Sequence, residues 1–365
     1  MKKQYYLFLL LCLACASCNV NITDARNNNY SKVLDLSGSW KFSIGDNLEW
    51  ASTTFDDQSW ESIYAPSNWE KQGYIAYDGF AWYRKTIKRP DLDKKQSLFL
   101  YIRNIDDADE VYYNGHLIGS TGKFPPQYVI GYGWERRYNI PRKYWNEKGN
   151  DLIAVRVYDD GGEGGIIQND ICLQTNNYEK YLDLNLSGDW KFSLGDNKGC
   201  RQVNYDESDM KTVYVPASWE SQGFFNYDGY AWYRKTFQVT DNLKDKKLYL
   251  VLGRIDDYDR VFLNGEWIGE VSSNRKESEI SNHRGQEYST WRIYEIPSKH
   301  LREGDNIISV KVLDNGGVGG IYEGPVGIMT KENMKELKEE IENDNSFFTE
   351  GGLFNFNIFN NNDSF

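Results

Sequence analysis

Histidine is nearly missing from this chain, with three in 365 residues at His116, His283 and His300. A serine hydrolase needs a serine, a histidine and usually an aspartate converging on one point, so the scarcity narrows the catalytic options at once. The Gly-Asp-Asn at 45–47 and 195–197 invites comparison with the Gly-Asp-Ser of some esterases but lacks the serine. Positive charge is also short, with 42 Lys and Arg against 54 Asp and Glu and a net charge of −12. An acidic surface repels phosphate backbones, which argues against nucleic acid as a partner. No glycine-rich stretch carries the Lys-Ser/Thr and following helix of a phosphate-binding loop. Of five cysteines, three crowd together at Cys12, Cys15 and Cys18, leaving only Cys172 and Cys200 in the body.

The N-terminus reads as an export leader, with Lys2 and Lys3, the apolar run Leu7 to Ala16, and small residues before a cysteine. The run is shorter than the roughly 20 residues that cross a bilayer. Ala16-Ser17-Cys18 resembles a bacterial lipobox whose cysteine is lipidated after cleavage, although Cys15 stands where the pattern prefers Leu and is the alternative acceptor. A plain cleaved signal peptide is the less favoured alternative. Lipidation at Cys18 implies an exported, membrane-anchored lipoprotein, periplasmic or at the cell surface, that touches the membrane only through its lipid. Residues 18–33 lack periodicity and are expected to form a flexible tether. Export permits a disulfide between Cys172 and Cys200; two buried thiols are the other possibility.

What the chain has in abundance is itself. Residues 34–119 align without a gap on 184–269 at an offset of 150, with nearly half the positions identical. YDGFAWYRKT at 77–86 returns as YDGYAWYRKT at 227–236, and IDDADEVYYNGHLIG at 105–119 returns as IDDYDRVFLNGEWIG at 255–269. Further on, VRVYDDGGEGGI at 155–166 meets VKVLDNGGVGGI at 310–321. The period is that of a duplicated domain, far beyond solenoid repeats. Each histidine is unmatched between the copies, His116 standing opposite Glu266, so no histidine chemistry belongs to the repeating unit.

Within each copy strand signals recur: Trp40 to Ile44 and Ala81 to Ile87 alternate apolar with polar, and Leu152 to Tyr158 is a buried type of run. Asn114-Gly115 and Asn264-Gly265, flanked by apolar residues, mark tight hairpins of the type I′ kind. The expected fold is all-β, two tandem antiparallel jelly-roll sandwiches over 34–175 and 184–330. A short amphipathic helix should follow at 331–345, where Met334, Leu337 and Ile341 recur at helical spacing. The Phe- and Asn-rich tail at 346–365 has no interpretable pattern.

Sugar rings offer C–H faces to aromatics and hydroxyls to Asp, Asn and Arg. Trp69, Tyr77, Asp78, Trp82 and Arg84, mirrored by Trp219, Tyr227, Asp228, Trp232 and Arg234, supply that chemistry and are the candidate carbohydrate-binding residues. Against this, a Trp in a repeated β motif is more often core, and alternation places Trp82 and Arg84 on the sheet face opposite Tyr83, so one aromatic must be buried. Asp106, Asp107 and Asp109 with Asp159, matched by Asp256, Asp257, Asp259 and Asp314, could form an oxygen-rich Ca²⁺ site. The blander and favoured reading is that they cap turns or pair with Arg84 or Arg137. The glycines of 161–165 and 316–320 could admit a ligand closely, or simply turn sharp corners.

The block Pro66-Ser67-Asn68-Trp69-Glu70, Gln72-Gly73, Tyr77-Asp78-Gly79 and Trp82-Tyr83-Arg84-Lys85 resembles the sugar-binding jelly roll at the N-terminus of glycoside hydrolase family 2 enzymes. The IDDxD, NGxxIG and VxVxDxGGxGGI series is similar to jelly-roll segments of bacterial sialate O-acetylesterases. The resemblance implies a galactose-binding-like domain that binds oligo- or polysaccharide. In those enzymes catalysis resides in another domain, and the family 2 barrel would need some 250 further residues. The expectation is therefore a carbohydrate-binding lipoprotein without catalytic residues or an obligate cofactor, acting beside a separate hydrolase or esterase. An accessory role in such an enzyme and a purely structural scaffold are the alternatives.

Overall fold

The computed structural model describes residues 29–272 and 287–344. The leader, Cys18 and the tail from 346 onward lie outside the described residues. In the first domain ten strands run in sequence: β1 (Tyr30–Asp35), β2 (Gly38–Ile44), β3 (Glu61–Ala65), β4 (Gly79–Lys88), β5 (Leu98–Asp106), β6 (Ala108–Tyr113), β7 (His116–Thr121), β8 (Arg136–Ile140), β9 (Asn150–Asp159) and β10 (Gly165–Asn176). They form a four-stranded sheet, β1-β10-β5-β8, facing a six-stranded one, β3-β2-β4-β9-β6-β7, with every pairing antiparallel. Strand β1 begins at Tyr30, paired with Asn176, so the expected tether over 18–33 gives way to sheet four residues before 34.

The second domain repeats the plan with β11 (Leu184–Asn185), β12 (Gly188–Leu194), β13 (Lys211–Val215), β14 (Gly229–Gln238), β15 (Leu248–Asp256), β16 (Tyr258–Leu263), β17 (Glu266–Val271), β18 (Trp291–Ile296), β19 (Asp305–Asp314) and β20 (Gly320–Thr330). Its sheets are ordered β11-β20-β15-β18 and β13-β12-β14-β19-β16-β17. The Asn-Gly hairpins close as the sequence expects, with φ of 49° and 84° at Asn114 and Gly115 and 52° and 89° at Asn264 and Gly265.

The apolar halves of the alternating strands meet between the sheets. In domain 1, Trp40, Phe42, Tyr83, Val111 and Val155 pack on Leu98, Leu100, Ile102, Ile171 and Leu173; Trp190, Phe192, Tyr233 and their neighbours do the same in domain 2. The helix α1 (Lys331–Asp344) lays Met334, Leu337 and Ile341 on Tyr249, Val251 and Trp291. Cys172 and Cys200 are separate buried thiols, which decides between the two possibilities the sequence left.

The outer face of each six-stranded sheet is only partly open to solvent. Residues 46–60 fold across it in domain 1 and put Trp50 and Trp60 against Trp82, forming a satellite cluster. Alternation correctly divides Trp82 from Tyr83, yet both are buried, because a non-local segment roofs the face that a simple sandwich would expose.

The two domains are joined rather than strung. Glu179 in the connecting turn accepts the Ser97 N–H at 2.5 Å, Lys95 Nζ donates to Leu182 O at 3.0 Å, and Asn185 Nδ2 donates to Lys95 O at 2.7 Å. Burial raises the Glu179 carboxyl from the usual 4.5 to about 7, against the opposing pull of the Ser97 hydrogen bonds and Arg142. A carboxyl with a raised folded value is fully favourable only below its unfolded value, and its contribution is lost as pH rises through the folded one. Stability should therefore fall between about pH 4.5 and 7 by up to ~3 kcal/mol from this group. Glu179→Gln keeps an acceptor for Ser97 without the charge. It should flatten that slope and melt above the parent at pH 8, but not at pH 4; parallel melting curves across the range would refute the assignment.

Candidate functional site

Of the ten residues expected to touch sugar, six are interior and cannot. The indoles of Trp69, Trp82 and Trp219 are wholly buried and that of Trp232 is 1% exposed, so none offers a stacking face. The peptide at Gly164 lies so close on Trp69 that a Cβ there would come within 2.1 Å of the ring, and Gly319 lies likewise on Trp219. Close approach is thus what the GGxGG loops provide, but to the protein's own tryptophan. Arg84 and Arg234 are buried too. Arg84 pairs with Asp57 at 2.8 Å and donates to the carbonyls of Trp50, Ser52 and Phe55, tying down the roof over the sheet. Arg234 pairs with Glu207 at 2.7 Å and holds the carbonyls of Cys200 and Gln202.

Tyr77 and Tyr227 are half-buried, and their hydroxyls bridge neighbouring turns: Tyr77 Oη donates to Phe80 O at 2.6 Å and accepts from Gly45 N at 3.2 Å, as Tyr227 does with Tyr230 O at 2.7 Å and Gly195 N at 3.1 Å. Only Asp78 and Asp228 remain exposed, each near enough to a cluster of carboxylates at the end of its sandwich to act on it electrostatically.

That cluster is the chemically unusual part of the fold. Asp106 and Asp107, at the β5–β6 turn, and Asp159, at the end of β9, bring carboxylate oxygens within 4.8 Å of one another; Asp256, Asp257 and Asp314 repeat it. The backbone satisfies part of it. Asp107 Oδ2 accepts Asp160 N at 3.0 Å and Asp159 Oδ1 accepts Gly161 N at 3.1 Å, whereas Asp159 Oδ2 is buried with no partner, as is Asp314 Oδ2. Burial first, then Asp107, lifts the Asp106 carboxyl to about 8; burial lifts Asp159 to about 6 and Asp256 to about 8. Such a group calls for a proton, a cation or ligand hydroxyls. Asp109 and Asp259, expected among the cation ligands, lie elsewhere. Asp109 pairs with Arg136 at 2.8 Å and Asp259 with Arg292 at 2.8 Å, all four side chains fully buried, so neither carboxylate is free for a metal.

Beside the domain 1 cluster lies the loop 122–135. Gly131 N donates to Asp107 O at 2.9 Å and Gly133 N to Asn104 Oδ1 at 3.0 Å, so the loop is fastened to the acidic turn. It exposes Ile130, Tyr132 and Trp134, each about half open to solvent. Tyr128 meets the Tyr158 ring edge-on at 5.7 Å, and Arg156 lies 4.7 and 4.4 Å from the Phe80 and Phe124 ring centres. The sequence carried a signal for these aromatics: GKFPPQYVIGYGWE is too rich in Gly and Pro to be a core strand, so its aromatics have no sheet to bury them. The counterpart loop of domain 2 includes 273–286, outside the described residues.

The fold and rim define a class, tandem jelly-roll sandwiches with acidic ends. By sequence, the chain is 30% identical over 148 residues to a putative beta-glucuronidase of Formosa agariphila, an alignment taking in 37% of this chain and 13% of that protein. It is 30% identical over 92 residues to a beta-galactosidase of Thermoanaerobacter pseudethanolicus, covering 24% and 12%, and 25% identical over 135 residues to beta-galactosidase BoGH2A of Bacteroides ovatus, covering 34% and 15%. The chain spans less than a sixth of the length of these relatives. Among solved structures, a beta-glucuronidase 2 of Bacteroides uniformis superposes with a TM-score of 0.35 at 16% identity, over 80% of this chain and 28% of that one. No family model matches. The chain thus resembles the non-catalytic jelly-roll domains of family 2 glycoside hydrolases.

Proposed function

We propose that the chain is an exported carbohydrate-binding lipoprotein that captures glycan without cleaving it, and that domain 1 binds sugar at the rim formed by Asp78, Asp106, Asp107, Asp159 and the loop carrying Tyr132 and Trp134. One observation carries the reading: an unpartnered buried carboxylate oxygen, Asp159 Oδ2, sits in an acidic turn fastened to a loop of exposed aromatics. Carboxylates accept sugar hydroxyls and exposed rings receive the C–H face, the division of labour that carbohydrate sites need. Supporting it, the relatives are named for acting on galactosides and glucuronides, and the alignments take in only 12–15% of their lengths. The same triads suit Ca²⁺, a hard cation that prefers carboxylate oxygens, with Asp159 Oδ2 and Asp314 Oδ2 as the vacant donors.

The test is calorimetric titration of the full chain with methyl β-galactoside, methyl β-glucuronide and β-galacto-oligosaccharides, in EDTA and in Ca²⁺. Binding that Trp134→Ala weakens by about tenfold or more, or ~1.4 kcal/mol, supports the rim. No heat with any sugar at millimolar concentration sinks it. Release of nitrophenol from nitrophenyl glycosides by the chain alone would transfer it to the enzymes.

A further inference from the structure

The contact between the two domains uses a corner and an edge of domain 1. Lys143, in the turn before β9, pairs with Asp189 of β12 at 2.7 Å; the edge strand β7 packs on the turn Glu220–Gln222; and the Lys123 ammonium lies 4.8 Å from the Phe225 ring centre. Tyr214 lies beside them, half-buried, with Arg142 and Tyr144 acting on its hydroxyl. The receiving face of domain 2 is therefore Asp189, Tyr214, Glu220–Gln222 and Phe225.

Because the domains are repeats, each carries counterparts of both surfaces, apart from the Lys123 loop, whose counterpart lies outside the described residues, and one of each is left over. At the offset of 150, the receiving face corresponds in domain 1 to Ser39, Tyr64, Glu70–Gln72 and Ile75. There Tyr64 is 58% and Ile75 82% exposed, whereas Tyr214 and Phe225 are half-buried. Two large apolar side chains thus stand open at the two positions that the repeat covers. Ser39 stands where the repeat has Asp189, and the neighbouring carboxylate is Asp35, which pairs with Lys32 at 3.2 Å and also acts on Lys85 as Asp189 acts on the matching Lys235.

In domain 2 the docking corner corresponds to Lys299 and His300. Its backbone is held as in domain 1, with Asn264 Nδ2 donating to His300 O at 2.8 Å just as Asn114 Nδ2 donates to Tyr144 O at 2.8 Å. The side chains differ. In domain 1 His116 stacks flat on Tyr144 at 4.1 Å, whereas Glu266 and His300 leave a cavity of about 360 Å³ lined also by Lys299, Leu301 and Arg302. Among the described residues, Lys299, His300 and Arg302 enter no ion pair, although the chain's net charge is −12. Lys299 and Arg302, which share this lining with the single carboxylate of Glu266, are available for a carboxylate-bearing face.

We propose that the Lys299–Arg302 corner of one chain docks on the Tyr64–Ile75 face of domain 1 in a second copy, repeating between chains the contact that joins the domains within one. The two surfaces differ, so the contact is heterologous. With any rotation other than a two-fold, every dimer keeps one free surface of each kind, and assembly continues head to tail into a ring or a row rather than closing at two. The charge component makes the association weaken with salt.

Sedimentation velocity of the full chain from about 1 µM to about 1 mM, a range that brackets weak to moderate contacts, tests this. The average mass should rise past the dimer. Lys299→Glu and Ile75→Glu, both at exposed positions and expected to keep the parental melting temperature, should each weaken self-association at least tenfold. An equimolar mixture of the two variants should form a dimer and stop there, because each supplies the surface the other lacks. A chain monomeric throughout overturns the proposal. So does association that survives both substitutions, or a parent that closes at a dimer.

Discussion

Gly164→Ala should lower the stability of domain 1 by about 3 kcal/mol or more, the upper range for forcing atoms into a packed core. The new methyl would lie 2.1 Å from Trp69 Cζ2 and 2.3 Å from Cε2, and neither partner can retreat. The indole is fixed from below by Phe42 at 6.1 Å and by Tyr77 at 5.7 Å between ring centres. The glycine is fixed from above, since its N–H donates to both Glu70 oxygens at 3.1 and 3.2 Å and its carbonyl accepts Trp69 N at 3.2 Å. For a domain of this size the loss corresponds to roughly 10 °C in melting temperature. Scanning calorimetry should show it in one transition only, with Gly319→Ala striking the other, because Trp219 Cε2 waits at 2.1 Å from that Cβ. Trp69→Phe is destabilising alone but frees the space, so the pair Gly164→Ala with Trp69→Phe should cost less than the sum of the singles. Additive losses would mean that the glycine is needed for something other than the tryptophan.

The repeat, the strand pattern and the two Asn-Gly hairpins were legible because each is a local statement: a period of two, or a dipeptide that tolerates positive φ. Helix α1 was legible for the same reason, Met334, Leu337 and Ile341 being spaced to share a face. The site was less so. Trp82 and Arg84 read as sharing the face opposite Tyr83, and they do; what buries them is a roof more than 20 residues upstream whose hold on Arg84 comes through backbone carbonyls that leave no mark in a residue pattern. The aspartates read as one set, but Asp109 does not belong to it in space. Asp106 and Asp107 sit in the turn and reach Asp159, while Asp109, two residues into the next strand, points to an arginine 27 positions away. The aromatic rim loop carries no periodic signal, and the same lack of period is why its residues are exposed.

Asp109→Ala should cost domain 1 about 3–5 kcal/mol, the range for stripping one partner from a buried ion pair. Arg136 is fully buried, so its guanidinium would keep its charge without its hydrogen-bonded counter-ion. The damage should spread further than a lost pair, because this arginine organises the rim. Its Nη1 donates to Trp134 O at 2.5 Å, and its Nη2 donates to Ile105 O at 3.1 Å and Asp107 O at 3.3 Å, holding the aromatic loop and the acidic turn together. Tyr138 closes the network, donating to Asp109 Oδ2 at 2.7 Å and standing 2.6 Å from the Thr121 hydroxyl. Replacing both charges, as Asp109→Leu with Arg136→Met, removes the stranded ion and should recover much of the loss in a denaturant titration. It should not restore the rim: the carbonyls of Ile105, Asp107 and Trp134 lose their shared donor, so sugar binding should stay weakened even where the melting temperature returns. A double variant that regains stability and binding together would show that Arg136 fills the core without positioning the site.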